Sequence, residues 1–237
     1  MAHVLGLDGC RGGWCAVSIR DEDGRLTVSP PAICPSFEGM LETEAKVICV
    51  DIPIGLMDGP GDRLCDVEAR RRFGKRAPVV FTPPCRSALS KKSHKASSEA
   101  NHRVSGKGLS IQAFNIVPKI AEVDSLITPA LHSRVHEVHP ELCFWALNRR
   151  RPMSHKKSRL AGRAERWRLL RRVLPSLPER PPRPRDLPAS CRVDDYVDAL
   201  VAAWTAVCIT RGAGDRIPHD PTLDDRGLRM EMWFPTV

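Results

Sequence analysis

The chain has 237 residues, 42% of them hydrophobic and 5% aromatic, and a formal net charge of +9. This length fits one large domain, and no stretch reaches the ~18 consecutive apolar residues that a membrane span requires. The nine cysteines are scattered and never spaced Cys-x-x-Cys, which argues against a zinc ribbon or a disulfide framework. We therefore expect a soluble cytoplasmic protein without a membrane partner.

The first 51 residues predict an α/β opening. Apolar runs bounded by glycine-rich turns predict three strands, then a helix, then a short buried strand that ends at Asp51 and is stopped by Pro53. The predicted elements are, in chain order, strands at 3–8, 14–20 and 25–30, a helix at 37–45 and a strand at 46–50. This order is typical of α/β proteins with a mixed sheet.

The rest of the chain alternates helical stretches with one more strand. We predict helices at 62–73, 109–127, 158–174 and 194–210, a fifth strand at 134–138 and a strand near 228–234. Residues 57–130 are predicted to be an insertion between the fourth and fifth strands, partly mobile. Residues 175–188 hold six prolines and are predicted to be an extended linker before the last helix. The whole of 1–237 is predicted to be a single domain.

Carboxylates stand at the ends of these predicted elements. Asp8 ends the first strand, Asp51 ends the fourth and Glu137 lies in the fifth, while Asp195 and Asp198 are three residues apart near the start of the last helix. Acids at the carboxyl ends of parallel strands face the crevice above a sheet, and residues three apart share a helix face. We therefore expect these five acids to converge and to be catalytic.

Converging carboxylates raise each other's pKa and cost stability unless cations neutralise them. Hard oxygen ligands suit Mg²⁺ or Mn²⁺. Two such ions about 4 Å apart can hold the attacking and leaving oxygens of phosphodiester hydrolysis. The sequence thus predicts a metal site at Asp8, Asp51, Asp195 and Asp198, with Glu137 assisting.

Five motifs resemble an uncharacterised family of predicted ribonuclease H-like nucleases, domain of unknown function 429. They are LDGCRGGW at 7–14, DIPIGL at 51–56, VHEVHPE at 135–141, DDYVDA at 194–199 and GLRMEMWFP at 227–235. They occur in order along nearly the whole chain. The resemblance implies a ribonuclease H-like mixed sheet, three antiparallel strands then two parallel, flanked by helices, and nuclease activity.

A wider resemblance links the chain to RuvC-type Holliday junction resolvases. Their pattern has an acid on the first strand, an acid ending the fourth strand and Asp-x-x-Asp-Ala near the start of the last helix. Asp8, Asp51, Asp195 and Asp198 match it. Glu137 is extra to that pattern, so its role stays open between metal ligand, support of another ligand, and substrate contact. Such resolvases are often dimers, which implies a homodimer.

Two basic segments indicate the partner. Residues 70–107 hold eleven Lys or Arg against one acid, and residues 149–185 hold fourteen against two, so the rest of the chain is acidic on balance. An acidic scaffold with basic segments suits a metal-dependent enzyme acting on DNA or RNA, although solvated surface stretches give the same composition. As phosphate contacts we name Arg11, Arg86, Lys156 and Lys157, for each of which a plain surface charge is the alternative.

Four further residues border the predicted site. Asp194 either supports the metal ligands or serves as a first-turn acid favoured by the helix dipole. His136, His139 and Glu141 flank Glu137 without the His-Glu-x-x-His spacing of zinc proteases, and they either support the site or begin the next helix.

Two other functions share these features. One is a nucleic-acid-binding protein with a degenerate site, although the intact acids would then lower the stability of the fold without serving catalysis. The other is an actin-like ATPase or phosphotransferase with the Asp8 loop facing the phosphates. For that function the chain is short for two lobes, and no second phosphate loop is present.

Overall fold

The computed structural model describes residues 1–236 and divides them into two compact units. Unit 1 comprises Met1–Asp51, Ser133–Asp215 and 233–236. Unit 2 comprises Ile52–His132 and Arg216–Met232, and so contains the predicted insertion at 57–130.

Strands occupy the ends of the chain and its middle, and helices lie between them. The strands are β1 Ala2–Cys10, β2 Gly13–Glu22, β3 Arg25–Val28, β4 Ala32–Cys34, β5 Val47–Val50, β6 Val135–Glu137, β7 Gly214–Ile217 and β8 Met232–Pro235. The helices are α1 Phe37–Leu41, α2 Leu64–Phe73, α3 Arg86–Leu89, α4 His94–Ser105, α5 Ile111–Leu126, α6 Pro140–Leu147, α7 Leu160–Val173 and α8 Val193–Thr210. Short 3-10 turns lie at Gly74–Val79, Pro129–Leu131 and Pro184–Asp186.

The main sheet of unit 1 has the order β3-β2-β1-β5-β6, with β4 also paired to β2. β1, β2 and β3 are antiparallel neighbours, whereas β5 runs parallel to β1 and β6 parallel to β5. The predicted α/β class with a mixed sheet flanked by helices is therefore confirmed. Our fourth and fifth predicted strands are β5 and β6, because β4 intervenes as an unpredicted strand of three residues.

Helix α8 crosses the centre of the sheet on one face. Most of its side chains are buried, among them Val197, Leu200 and Val201. It approaches β1 closely at Gly6, where a Cβ atom would lie 2.0 Å from the backbone nitrogen of Ala203 and 2.1 Å from the carbonyl oxygen of Ala199. A side chain at residue 6 would separate the helix from the strand.

Gly6→Ala is expected to lower the free energy of unfolding by about 2 kcal/mol, because backbone atoms of α8 cannot rotate away from the added methyl group. Chemical denaturation of the two proteins measures the difference. Gly59→Ala is the matched control, since a Cβ there meets no atom within 4 Å. Equal midpoints for Gly6→Ala and the wild type would show that α8 sits less closely on β1.

Helix α7 and the proline-rich segment after it pack together in unit 1. The predicted helix at 158–174 forms over Leu160–Val173. In the segment 175–188, Leu177 is buried and the Trp167 indole donates a hydrogen bond to the Pro178 carbonyl oxygen at 3.0 Å. This segment is extended, with one 3-10 turn, and covers part of α7.

Unit 2 is built around α2–α5 and small apolar clusters. One cluster joins Cys85, Ala88 and Ala100, and a second joins Leu109, Ala113 and Val117. Residues 74–108 of the predicted insertion form a 3-10 turn, α3 and the twelve-residue α4.

The tail contributes the second of two paired strands, β7 and β8. The strand predicted near 228–234 forms over Met232–Pro235, and β7 was not predicted. Among the described residues, no helix is both long and apolar enough to cross a membrane.

Candidate functional site

Two neighbouring parallel strands bring Asp8 and Asp51 to the same edge and the same face of the sheet. Leu7 of β1 is in register with Val50 of β5, so the next residues, Asp8 and Asp51, lie side by side on the opposite face from that pair. The Asp51 backbone N–H donates to the Leu7 carbonyl oxygen at 3.0 Å, which continues the ladder to the carboxylates. Both side chains are partly buried.

Helix α8 supplies two more acids, because its first turns lie at this edge. Asp198 is 1% exposed, and its Oδ1 accepts no hydrogen bond from residues 1–236. Asp195, three residues earlier, caps the helix by accepting from the Arg192 N–H at 2.8 Å through Oδ2. Asp194 points elsewhere and pairs with Arg163 of α7, its Oδ1 lying 2.8 Å from Nε.

The Lys157 ammonium lies among these carboxylates. Its Nζ is 2.5 Å from Asp198 Oδ2, while 48% of the lysine side chain remains exposed. The charges of Asp198, Asp51 and Asp8 together raise the Lys157 pKa above its ordinary value. Lys157 is therefore charged at every physiological pH and is the cation of the cluster.

The loop that carries Lys157 is tied to α7. The Glu165 carboxylate accepts from the backbone N–H groups of Ser154 at 2.8 Å and His155 at 3.1 Å. A Cβ at Gly162 would lie 2.0 Å from the Lys156 carbonyl oxygen, so the loop presses directly on the helix. These contacts fix the backbone of the loop next to Lys157.

A buried arginine joins this assembly to α6. Arg166 is 1% exposed and donates to Glu141 Oε1 from Nε at 3.0 Å and from Nη2 at 2.5 Å, and to the Gly162 carbonyl oxygen at 2.8 Å. Glu141 in turn raises the pKa of Asp51 and Asp198 through its charge. The Arg166–Glu141 pair thus joins α6 to α7 next to the carboxylate cluster.

Burial and mutual repulsion disfavour the ionised form of the acids. Burial first, then the charges of Asp51 and Asp198, raise the Asp8 pKa well above its ordinary value. Burial is also the main cause that raises the pKa of Asp51 to about 7 and the pKa of Asp198 and Asp195, although Lys157 opposes the shift in each. One ammonium does not balance the cluster, which leaves it attractive to further cations.

The metal-free protein is expected to lose stability as the pH rises from about 5 to about 8. Asp51 has a pKa of about 7 in the folded chain, whereas its ordinary pKa is 3.8, so the folded state binds this proton more tightly than the unfolded state. Proton binding by Asp51 therefore adds to the free energy of unfolding at low pH, and this stabilisation is lost as the pH rises through about 7. Thermal unfolding in EDTA at both pH values measures the effect, and Asp51→Asn is expected to reduce the difference. An equal pH dependence in the two proteins would contradict the assignment.

Glu137 is not brought to the cluster. It is in register with Val50, so it shares the sheet face of Val50 and Leu7, opposite to Asp8 and Asp51. His136 packs edge-on against Trp233, with ring centroids 4.9 Å apart, and His139 is the residue that precedes α6. These three residues lie around the start of α6, and Glu141 of the same motif acts on Asp51 and Asp198 through its charge.

The predicted phosphate contacts fall into two groups. Arg11, in the turn between β1 and β2, and Lys156, beside Lys157, are exposed. Arg86 belongs to unit 2, where its guanidinium pairs with three acids, Asp58 at 2.9 Å, Asp124 at 3.1 Å and Asp224 at 2.5 Å. Because its guanidinium is occupied by these three carboxylates, Arg86 has a structural role within unit 2 and is not proposed as a phosphate contact.

Sequence reasoning missed Arg166 and the position of Lys157. Arg166 stands in an arginine-rich helix, and nothing in the local pattern distinguishes it from its exposed neighbours Arg168 and Arg171. The signal that could have found it is its position on the apolar stripe of the helix next to Trp167 and Leu170. Lys157 was predicted to contact phosphate, and the structure gives it Asp198 as its partner.

The site suits a hard divalent cation in its chemistry. Its donors are carboxylate oxygens, they already surround a positive charge, and Asp198 Oδ1 is a buried acceptor without a hydrogen bond from residues 1–236. As the side chains stand, no group of three or more His, Cys, Asp or Glu among the described residues is arranged to hold a metal ion. Lys157 occupies the position next to Asp198 Oδ2, so a cation that binds this oxygen would have to displace the ammonium group.

Comparison with known proteins identifies the family. No curated protein and no solved structure matches the chain significantly. The family model described as "Protein of unknown function (DUF429)" matches residues 6–223, a range that includes Asp8, Asp51, Lys157 and Asp198. The chain therefore belongs to this family of unknown function.

Proposed function

We propose that unit 1 is a ribonuclease H-like domain and that the protein is a metal-dependent nuclease that hydrolyses phosphodiester bonds of DNA or RNA. The observation that carries this proposal is the convergence of Asp8, Asp51 and Asp198 on one face of the sheet around a cationic group. The sheet order, three antiparallel strands followed by two parallel ones, and the crossing of α8 over β1 agree with that fold.

Asp8, Asp51 and Asp198 would hold Mg²⁺ or Mn²⁺, with the free oxygen of Asp195 as a further ligand. When bound, two such ions supply Lewis acidity that activates water and neutralises charge on the leaving oxygen. The carboxylates bind in their ionised form, so their raised pKa values make cation binding release protons.

The chain's own cations would act on the substrate. Lys157, displaced from Asp198, becomes free to bind a phosphate oxygen next to the site. Arg11, three residues after Asp8, and Lys156, next to Lys157, are exposed and would bind phosphates of the nucleic-acid backbone through their charges. Arg163 stays with Asp194 and Arg166 with Glu141, so these two position the site and do not contact substrate.

The test is cleavage of labelled DNA, RNA and branched junctions in Mg²⁺ or Mn²⁺ by the wild type and by Asp8→Asn. Metal-dependent cutting that disappears in Asp8→Asn would support the proposal and identify the substrate. A metal chelator should abolish the same activity. Asp21→Asn is the matched control, because Asp21 lies at the far end of β2 and pairs with Arg211.

The other outcomes point to the other functions. Binding of nucleic acid without cutting of any substrate would favour a binding protein in which Lys157 permanently replaces the metal. If the protein neither cuts nor binds nucleic acid, a nucleic-acid function is contradicted and ATP hydrolysis is favoured. A homodimer and a cytoplasmic location stay predictions.

A further inference from the structure

A pocket away from the carboxylate cluster lies in unit 1 where α6, α7 and β8 end. Its volume is about 450 Å³, within the range of about 300–1,000 Å³ typical of small-ligand pockets. Its lining includes Leu147, Arg149, Arg150, Arg172, Phe234 and Pro235. The pocket thus combines three guanidinium groups with an apolar wall.

Within residues 1–236, the three arginines have no anionic partner. None of Arg149, Arg150 and Arg172 forms an ion pair or a side-chain hydrogen bond with any of residues 1–236. Elsewhere in the same unit, arginines such as Arg163, Arg166 and Arg211 are each paired with a carboxylate. Three like charges around one concavity repel each other, and an anion placed between them would remove that repulsion.

The backbone that follows α6 has an unusual conformation at two of these arginines. Arg149 and Arg150 have φ angles of +57° and +58°, the left-handed region that costs a residue with a side chain about 1 kcal/mol or more. Two consecutive residues of this kind turn the chain at the end of α6 and bring both arginines to the pocket. Strain of this kind occurs preferentially at ligand clamps.

The apolar wall is packed against the core of unit 1. Trp145 and Phe234 pack edge-on with ring centroids 6.2 Å apart, and the Arg150 guanidinium carbon lies 5.9 Å from the centroid of the Trp145 ring. Leu147, Phe234 and Pro235 are buried, so the wall is fixed by the core behind it. Leu147 and Phe234 are only 3% and 4% exposed, so they close the bottom of the pocket, and a flat organic group could stack on an exposed guanidinium plane such as that of Arg150.

We infer that this pocket binds a phosphate monoester carried on a flat organic group of about the size of one nucleotide. Two of the guanidinium groups would bind the phosphate in the bidentate manner that arginine favours, and the flat organic group would stack on the plane of the third. The inference does not rest on the proposed nuclease function. Lys157 precedes the N-terminal end of α7, whereas Arg172 lies at the other end of this fourteen-residue helix, about 20 Å away along its axis.

The test is calorimetric titration of the full chain with AMP and with adenosine, in EDTA so that no metal contributes. AMP is expected to bind at least tenfold more tightly than adenosine. The double variant Arg150→Asn, Arg172→Gln should weaken AMP binding at least tenfold, and Asn is chosen because it tolerates the left-handed backbone. The control variant Arg168→Gln, Arg171→Gln removes the same charge from exposed positions of α7 and should change binding less than twofold.

A DNA strand with or without a 5′ phosphate then distinguishes the source of the ligand. A preference for the phosphorylated strand identifies a nucleic-acid end, and its absence, with AMP still bound, identifies a free nucleotide. Equal binding of AMP and adenosine, no AMP binding, or an equal loss in the control variant would overturn the inference. Asp8→Asn should leave AMP binding intact, so failure of this site and failure of the nuclease are separate results.

Discussion

Asp198→Asn is expected to lower metal-dependent cleavage by about 1,000-fold, whereas Asp194→Asn should retain activity within about threefold. Asp198 offers a buried carboxylate oxygen without a hydrogen bond from residues 1–236, next to the Lys157 ammonium. An amide keeps the shape but loses the charge, and a loss of three powers of ten corresponds to about 4 kcal/mol of transition-state stabilisation. Single-turnover cleavage with saturating Mg²⁺ measures the effect.

The two substitutions are matched because both convert Asp to Asn in the first turns of α8. Asp194 pairs with Arg163 across partly exposed side chains, so its loss is expected to cost at most about 1 kcal/mol of stability. Circular dichroism would show that both variants keep their helices. Equal activities for the two variants would mean that Asp198 does not hold the metal.

Lys157→Met is expected to lower the free energy of unfolding of the metal-free protein by about 1–3 kcal/mol and to tighten Mn²⁺ binding at least tenfold. Without the ammonium group, the carboxylates of Asp198, Asp51 and Asp8 repel each other in a site that is partly shielded from solvent. The expected cost is below the ~3–5 kcal/mol for breaking a fully buried pair, because the Lys157 side chain is half exposed. Mn²⁺ binding tightens because the ion no longer displaces a charge.

Thermal unfolding with and without Mn²⁺, together with calorimetric titration, measures both effects. Lys156→Met is the control, since it removes an exposed lysine from the same loop. Mn²⁺ should raise the melting temperature of Lys157→Met more than that of the wild type. Unchanged Mn²⁺ affinity would contradict the view that Lys157 occupies the cation position.

The sheet could be predicted because its signals are local. Alternating or continuous apolar runs bounded by glycine, proline and acids located β1, β2, β3, β5 and β6 to within a few residues. β4 was missed because it lies between Pro31 and Pro35, which favour a loop, and β7 was missed because its sequence, Gly-Asp-Arg-Ile, contains no apolar run. Helix α6 was predicted only at its start, since all eight of its residues are buried and it shows no amphipathic pattern.

The acids of the site could be predicted because their signals are local as well, whereas the residues that contact them could not be predicted. Asp8 and Asp51 end apolar strands, and Asp198 interrupts an apolar helix, so each contradicts its local environment. The face on which Glu137 lies depends on the register between β5 and β6, and a shift of one residue would reverse it. The partners of Lys157 and Arg86 depend on long-range packing, which single-residue patterns do not contain.

The wide spacing of the cluster along the chain bears on how the protein folds. Asp8 and Asp51 come from the first quarter of the chain, whereas Lys157 and Asp198 come from its second half. Closing loops of this length is slow and opposes early assembly. We therefore expect the carboxylates to meet only when α8 docks on β1 at Gly6, so that affinity for a divalent ion appears at the end of folding and reports that the whole of unit 1 has formed.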